Sequence, residues 1–553
     1  MAEGGGEMKV AFTYDGISLS AEQGMSIADA LASCGIAHGN HSMRLRRFRN
    51  TPHPIRETPE AWLTVDGIPN VNPYSTAIRQ GMCIRSQTSR HLTDLLAKHT
   101  YAGFYFDAFP HSAIGRAALH HVIRRNSDQG GHLPCDATPV WEQSRVERMN
   151  AGLLIVGAGN AGMAALTAAP EGTVIVDARD ASVLSENYAE VTGALTSYFS
   201  EDMPAPTLDE LLQRKKIRLL SGSVIFGIYE GALFAALTEG RRITLIHAPK
   251  VVIATGSEEV LPIFGNNDIS GIYSAQQLSF FPRKLKGKAA VYVEGVISRS
   301  RIRHLCPQIE APVLLCSRGT SESSLRMLDD ILSPCEIVRG CTLTGAEDRN
   351  ALSALHFERM GEERRLSLDT LIVCGRLQPR LELYKIMMAM HSFHEVDDCS
   401  PYLCGSAANL SYPASLVSGL RAVQAVNAGV STSEYERSIR SEFPSYSSDW
   451  KDSLGESAPV NDCVICPCTD VRISDIIHAY YRGYDTLNRI KRYTGLFTGP
   501  CQGARCLRNA AEVYSFISGA EPDFPTPRSP LFPVQIGALA ELEEDMFLHD
   551  AEC

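Results

Sequence analysis

Residues 152–169, "GLLIVGAGNAGMAALTAA", admit few folds. The apolar run over 153–156 predicts a buried strand, and the glycines that follow it are spaced for a phosphate-binding turn. Gly157 permits the tight turn, Gly159 lets the backbone approach a pyrophosphate, and Gly162 allows close packing of the next helix on the sheet. Peptide N–H groups at the start of that helix face the phosphates. The expected dinucleotide loop is therefore Gly157, Ala158, Gly159, Asn160, Ala161 and Gly162. Asp177, in "TVIVDARD", stands about 20 residues on, where an acid holds a ribose hydroxyl. A glycine turn of purely structural value is the alternative, but strand, glycines, helix, second strand and acid together predict an α/β sheet with a bound dinucleotide.

At 553 residues the chain has room for about three or four domains. Its 44% hydrophobic and 21% charged residues are those of a soluble globular protein. A net charge of −11 argues against nucleic acid, because phosphate binding needs a basic face. No apolar run reaches the about 18 residues of a membrane span, and "MAEGGGEMKVAFTYDG" lacks the basic and apolar segments of a secretory signal. A cytoplasmic location is expected. Over residues 1–95, "KVAFTYDGISLSA" alternates like a hairpin and "SIADALASCG" has helical spacing with Ser26 as its cap, a small α+β unit. A connecting segment, 96–150, contains "GFYFDAFP" and the helix-like "AIGRAALHHVIRR". From Asn150 to about residue 435 apolar strands alternate with helices. A polar connector, a compact helical unit over 460–520 and a tail over 521–553 complete the chain.

Within the α/β region "APKVVIATGSEEVLPI" predicts a strand over 251–254 ending at Thr255 and Gly256, and "YLCGSAANL" predicts another ending at Gly405. These elements resemble two-dinucleotide-domain flavoproteins, in which the positions of Ala254, Thr255, Gly256 and Gly405 bring backbone close to the cofactor. The resemblance implies FAD at the first fingerprint, with an FAD domain over 151–285 and 365–435. Ser406 departs from it, standing where many flavoproteins have an aspartate. A second, nicotinamide fingerprint belongs near residue 290, in a domain over 286–364. There "GKAAVYVEGVISRSRIRHL" gives a strand over 290–293 and a single glycine, Gly295. With Ile297, Arg299 and Ser300 where small residues belong, a pyrophosphate is kept from the backbone. This second domain is expected to keep its fold and to have lost ordinary NAD binding.

Five of the sixteen cysteines lie between positions 463 and 506. Most of the others, such as Cys306, Cys316, Cys374 and Cys404, read as small buried hydrophobes in a reducing compartment. "CVICPCTDV" offers Cys466 and Cys468 from one loop, and "TGPCQGARC" offers Cys501 and Cys506 from another. Between them "RISDIIHAYYRGYDTLNRIKRYTG" predicts two short helices. Ser474 caps the first, Ile476, Ile477 and Tyr480 face inward, Gly483 turns the chain, and Leu487 and Ile490 continue the apolar face. Such a hairpin brings the two loops together, and four converging thiolates suit an iron–sulfur cluster. Zinc also suits four thiolates, and a metal-free helical cap is the third reading. Cys463 forms a CxxC with Cys466 and reads as a bystander rather than a redox dithiol. There is no GxSxG elbow, HExxH or Walker loop, so no catalytic side chain is expected.

The CxC, 32 intervening residues and CxxxxC, with "KRYTG" and "GPCQG", resemble the bacterioferritin-associated ferredoxin type of [2Fe–2S] domain. More widely, the chain resembles the α subunits of the heteromeric sarcosine oxidase family, with its opine oxidases, hydrogen cyanide synthases and dye-linked proline or hydroxyproline dehydrogenases. The motifs are "RLRRFRNTPHPI", "PEAWLTVDGIPNVNPYSTAIRQGMCIRSQ", "GFYFDAFP", "HHVIRR", "CGSAANLSYPASLVSGLRA", "PLFPVQIGALA", the flavin fingerprint and the cysteine unit. The resemblance implies an α/β fold: a two-dinucleotide-domain flavoprotein with a degenerate ferredoxin-like α+β domain before it and a small helical iron–sulfur domain after it. It implies FAD, or another adenine nucleotide such as ATP, on the Gly157 loop, and a [2Fe–2S] cluster on Cys466, Cys468, Cys501 and Cys506. In such complexes the α subunit relays electrons, while a β subunit of the D-amino-acid oxidase type oxidises the C–N bond of a secondary amine. FMN sits between α and β, and an electron acceptor and a small γ subunit belong to the same picture. A self-contained NADH-dependent reductase and a non-catalytic scaffold are the rival functions.

Two departures follow. The first unit is similar to a plant-type ferredoxin fold, yet the closely spaced cysteines of that fold are missing. "HSMRLRRFRN" fills their loop, and its Arg44, Arg46, Arg47 and Arg49 are expected to meet an anionic cofactor or partner, or else to form a solvated basic loop. Sarcosine oxidase α subunits carry a folate-binding domain after the cysteine unit, whereas this sequence ends at Cys553. Tetrahydrofolate chemistry is therefore not expected, which points to the opine oxidase and proline dehydrogenase branch.

Overall fold

Strands Lys9–Tyr14 and Ile17–Glu22 pair antiparallel around Asp15 and Gly16, whose φ values of 45° and 83° are those of a tight hairpin turn. The computed structural model describes residues 9–36, most of 40–49, 62–74, 76–87, 101–103, 112–115, 117–118, 146–199, 206–238, 242–278, 287–295, 312–332, 336–348, 351–393, 400–408, 414–440, 463–499 and 501–532, with isolated positions beyond. Most of "GFYFDAFP", all of "HHVIRR" and Arg46, Ile297, Arg299 and Ser300 lie outside the described residues. The chain divides into two units.

One unit comprises residues 1–138, 259–376 and 446–525. Its N-terminal sheet has the order Ile17–Glu22, Lys9–Tyr14, Cys83–Ser86, Leu63–Val65, Ile68–Val71. Ser26 caps the helix Ile27–Ser33 as expected, its Oγ accepting the Asp29 N–H at 3.1 Å. A second sheet is wholly parallel, in the order Ile272–Ser274, Thr370–Cys374, Ala289–Val293, Val313–Cys316, Ile337–Arg339. Its central strands are apolar at every position but Thr370, because both faces are covered. Ala290 and Tyr292 join one core, while Ala289, Val291 and Val293 join another with Leu325 and Leu328 of the helix Glu322–Leu332. The cysteine unit consists of helices Ile473–Tyr481, Leu487–Thr494 and Leu507–Ser518, with a short ribbon, Val464–Cys466 against Val471–Arg472. The first helix starts at Ile473, so Ser474 is inside it and not its cap. The cap position is Arg472, whose N–H the carboxylate of Asp475 in the first turn accepts at 2.8 Å.

The other unit comprises residues 139–258, 377–445 and 526–553. Its parallel sheet has the order Arg218–Leu220, Val174–Val176, Leu154–Val156, Lys250–Ile253, Ser400–Leu403. Helices Asn160–Ala168, Ala181–Phe199 and Ala414–Ala428 share a core with it. Leu154 and Ile155 are fully buried, each contributing about 1.5–3 kcal/mol through apolar burial. A four-stranded sheet, Ser223–Tyr229, Leu233–Thr238, Arg242–His247 and Val146–Asn150, completes the unit.

Candidate functional site

Parallel register gathers the predicted dinucleotide residues at one edge. Val156 is level with Val176 on one side and with Ile253 on the other, and Ile253 is level with Leu403. Gly157, Asp177, Ala254 and Gly405 therefore follow together past the carboxyl ends of the strands, where open α/β sheets take ligands. Gly157 has a φ of 99°, and a Cβ there would stand 2.3 Å from the Ala254 carbonyl oxygen. A Cβ on Gly162 would stand 1.9 Å from the Gly157 carbonyl oxygen, so neither position tolerates a side chain. At Gly159 a Cβ would meet nothing within 4 Å. The loop is thus closed against the sheet at Gly157 and Gly162 and open at Gly159, and no side chain caps the N–H groups of the helix behind it. This shape fits a pyrophosphate.

The remaining residues of this edge hold the loop in place. Thr255 donates its hydroxyl to the Arg380 carbonyl at 2.8 Å. Gly256 and Gly405 have φ values of 76° and 69°. Close helix packing also depends on Gly419, which the fingerprint did not single out: a Cβ there would lie 1.9 Å from the Ala161 carbonyl oxygen. The small-residue run "SGL" was its only trace in the sequence. Asp177 accepts the Ala158 N–H at 2.6 Å and the Arg179 N–H and Nε at 2.9 Å. Burial alone would raise its pKa, but the hydrogen bonds and charge of Arg179, with the two backbone N–H groups, outweigh that and hold the carboxyl below its ordinary range. Arg179 and Asn187, whose Nδ2 donates to the Ala158 carbonyl at 2.7 Å, are further supports of the loop.

In the other unit the two cysteine loops meet. Cys466 (0% exposed), Cys468 (5%), Cys501 (2%) and Cys506 (0%) are all buried. Cys466 contacts Cys468 and Cys506, Cys501 contacts the same two, and the Cys468 and Cys501 sulfurs are 3.4 Å apart. No group of three or more His, Cys, Asp or Glu side chains arranged to hold a metal ion occurs among the described residues. Their neighbours push Cys466 and Cys501 down and Cys468 and Cys506 up in pKa, through hydrogen bonds between sulfurs. Four buried thiols with no cation cannot all ionise; a multinuclear metal centre removes that penalty, so the donor set fits one. Cys463 turns its sulfur to the Val464 carbonyl at 3.9 Å, and burial pushes its thiol up. A Cβ on Gly499 would lie 2.2 Å from the Cys468 Cβ, so glycine there lets the loops close. Thr469 donates its hydroxyl to the Cys466 sulfur at 3.1 Å.

Of the described arginines of this loop, Arg44 is 8% exposed and Arg49 2%, and Arg49 lines a pocket with Asn267, Asp268, Pro467 and Arg505. Arg44 pairs with Asp475, Arg47 with Asp268, and Arg49 with Asp268 and, at 2.6 Å, Asp470. Sequence reading missed these partners because the acids lie more than 200 positions away. On the second sheet, Glu294 stands one residue past the strand, where Gly157 stands in the first. Its carboxylate binds the buried Arg376 at 2.7 Å, and Arg376 also binds Glu512 at 2.6 Å. A carboxylate held in a salt bridge thus occupies the position that glycine has in the first sheet.

Two family models match: a 2Fe-2S iron-sulfur cluster binding domain over residues 7–89 and a sarcosine oxidase A3 domain over residues 464–542. The sarcosine oxidase α subunit of Rhizobium meliloti (strain 1021) is 24% identical over 584 residues, 96% of this chain and 57% of that protein. That of Corynebacterium sp. (strain P-1) is 23% identical over 96% of this chain and 56% of its own length. The chain is thus similar to sarcosine oxidase α subunits over nearly its whole length. It spans a little over half the length of these curated relatives. An opine oxidase subunit of Rhizobium meliloti (strain 1021) is 33% identical over 89 residues, 16% of this chain and 19% of that protein. Among solved structures, L-proline dehydrogenase from P. horikoshii superposes with a TM-score of 0.59 at 19% identity, covering 97% of this chain and 98% of its own, so the fold is shared. These likenesses support FAD and a two-iron, two-sulfur cluster as cofactors. Residues 7–89 contain only Cys34 and Cys83, too few for a cluster held by four cysteines. No described helix is long and apolar enough to cross a membrane.

Proposed function

We propose that this chain is the electron-relaying α-type subunit of a heteromeric, flavin-dependent oxidase or dehydrogenase acting on secondary amines such as opines, proline, hydroxyproline or sarcosine. The observation that carries this reading is the convergence of Cys466, Cys468, Cys501 and Cys506 from two loops onto one buried point. Those four thiols hold the [2Fe–2S] cluster, which supplies one-electron transfer when bound. FAD lies on the loop of Gly157, Ala158, Gly159, Asn160, Ala161 and Gly162, with Asp177, Ala254, Thr255, Gly256 and Gly405 around it. The chain's own residues bind and orient these groups and exclude water from the cysteine ring; a D-amino-acid-oxidase-type β subunit oxidises the C–N bond. The activities for which the sarcosine and opine oxidase relatives are named support the amine class. The Glu294–Arg376 pair weighs against a self-contained NADH reductase.

Anaerobic purification of the full chain tests the assignment. Iron and acid-labile sulfide are expected in equal amounts, about two of each per chain, with one dinucleotide released on denaturation. Protein folded but free of both iron and sulfide overturns the relay role.

A further inference from the structure

The ferredoxin-like domain has kept its fold without a cysteine set of its own, and its former cluster loop now reaches the cysteine unit. The short hairpin Asn40–His41 with Phe48–Arg49 carries Arg44 and Arg49 onto the segment that holds Cys466 and Cys468. Arg49 donates Nη1 to the carbonyl of Pro467, the residue between those two cysteines, at 2.7 Å. Its Nε bonds Asp268 at 2.8 Å and its Nη2 pairs with Asp470 at 2.6 Å. Asp470, two residues past Cys468, is 0% exposed and has a φ of 54°, a conformation uncommon for residues other than glycine. The backbone N–H groups of Arg44 and Leu45 hold it, at 2.6 and 3.0 Å. Arg44 in turn binds the Asp470 carbonyl and the Asp475 carboxylate.

Three arginines, Arg44, Arg47 and Arg49, thus face three aspartates, Asp268, Asp470 and Asp475. In a site of low dielectric, an uncompensated charge on Asp470, two residues past Cys468, weighs on a redox group held by that loop more than a charge farther along the set. We propose that Arg49 is a positioning residue for the cluster: the degenerate ferredoxin-like domain serves as a cationic clamp that shapes the Cys466–Cys468 loop and, by neutralising Asp470, holds the reduction potential of the cluster up. This rests on the reading that the four cysteines bind iron and sulfide.

The test is a redox titration of the full chain followed by electron paramagnetic resonance, with iron and sulfide assayed on each sample. Arg49→Gln strands the Asp470 charge and is expected to disfavour reduction at least tenfold, ~59 mV for one electron. Arg49→Lys keeps the charge and is expected to stay near the parent potential. The double variant Arg49→Gln/Asp470→Asn removes both charges and returns toward the parent, and Arg47→Gln, at a residue that pairs with Asp268 and not with Asp470, moves the potential less than Arg49→Gln does. Asp470→Asn alone, which keeps an acceptor for the Leu45 N–H, raises the potential; it decides the matter if Arg49→Gln does not retain the cluster. An unmoved potential in an iron-loaded Arg49→Gln variant overturns the clamp but leaves the relay function standing, as does an Asp470→Asn potential that stays or falls. Absence of iron from the parent chain overturns the function itself and the clamp with it.

Discussion

Gly159 separates binding from folding. Its backbone φ of −67° suits any residue and a Cβ there meets no atom, whereas Gly157 and Gly162 press on carbonyl oxygens. Gly159→Ala is therefore expected to unfold at the parent temperature while its dinucleotide affinity falls about tenfold, ~1.4 kcal/mol, read by released FAD against thermal denaturation. Cys466 and Cys463 make a similar pair three positions apart: Cys466→Ser loses the cluster's iron, and Cys463→Ser keeps it. Asp177 contributes to stability through a pKa that lies lower in the folded than in the unfolded chain. That contribution is complete above the unfolded value of about 4 and fades as the pH falls through the folded one. Asp177→Asn is expected to cost about 1–2 kcal/mol in urea unfolding at pH 7, with the gap narrowing once the pH drops below about 4.

Helices bring the same lesson at the next scale. Helix Ala414–Ala428 crosses Asn160–Ala168 with backbone nearly touching backbone, and Gly419 is where they meet. Gly419→Val is expected to destabilise the chain by about 3 kcal/mol, since neither helix can withdraw without opening the sheet core. Helix Leu507–Ser518, which begins directly after Cys506, is tied by Glu512 and Asn509 to the buried Arg376. Arg376→Met would leave the half-buried Glu294 without that cation and Glu512 with Arg508 alone, and a loss of about 1–3 kcal/mol is expected from calorimetry or urea midpoints. The hairpin between the cysteine loops was legible from its 3.6-residue periodicity, because Ile476, Leu487 and Ile490 repeat at helical spacing. Its start was not: Ser474 looked like a cap by type, but Asp475, held by Arg44, reaches back to the Arg472 N–H and the helix begins two residues earlier, at Ile473.

For the molecule as a whole, the loss of nicotinamide chemistry is the sharpest expectation. NADH added to the flavin-loaded chain is expected to leave the flavin absorbance unchanged over minutes, whereas amine substrate bleaches it once the partner subunits are present; rapid bleaching by NADH alone would restore the reductase reading. The sequence by itself determined the dinucleotide sheet and the four-cysteine unit, because each is written in short-range spacing: glycines two and three residues apart, cysteines two and five apart, apolar residues at strand or helical periods. Only the tertiary structure decided what the arginine loop does and what fills the end of the second sheet. Arg44 finds Asp470 across 426 positions, and Arg376 finds Glu512 across 136. A buried ion pair between distant segments leaves no periodic trace, since its two halves acquire meaning only when folding removes both from water.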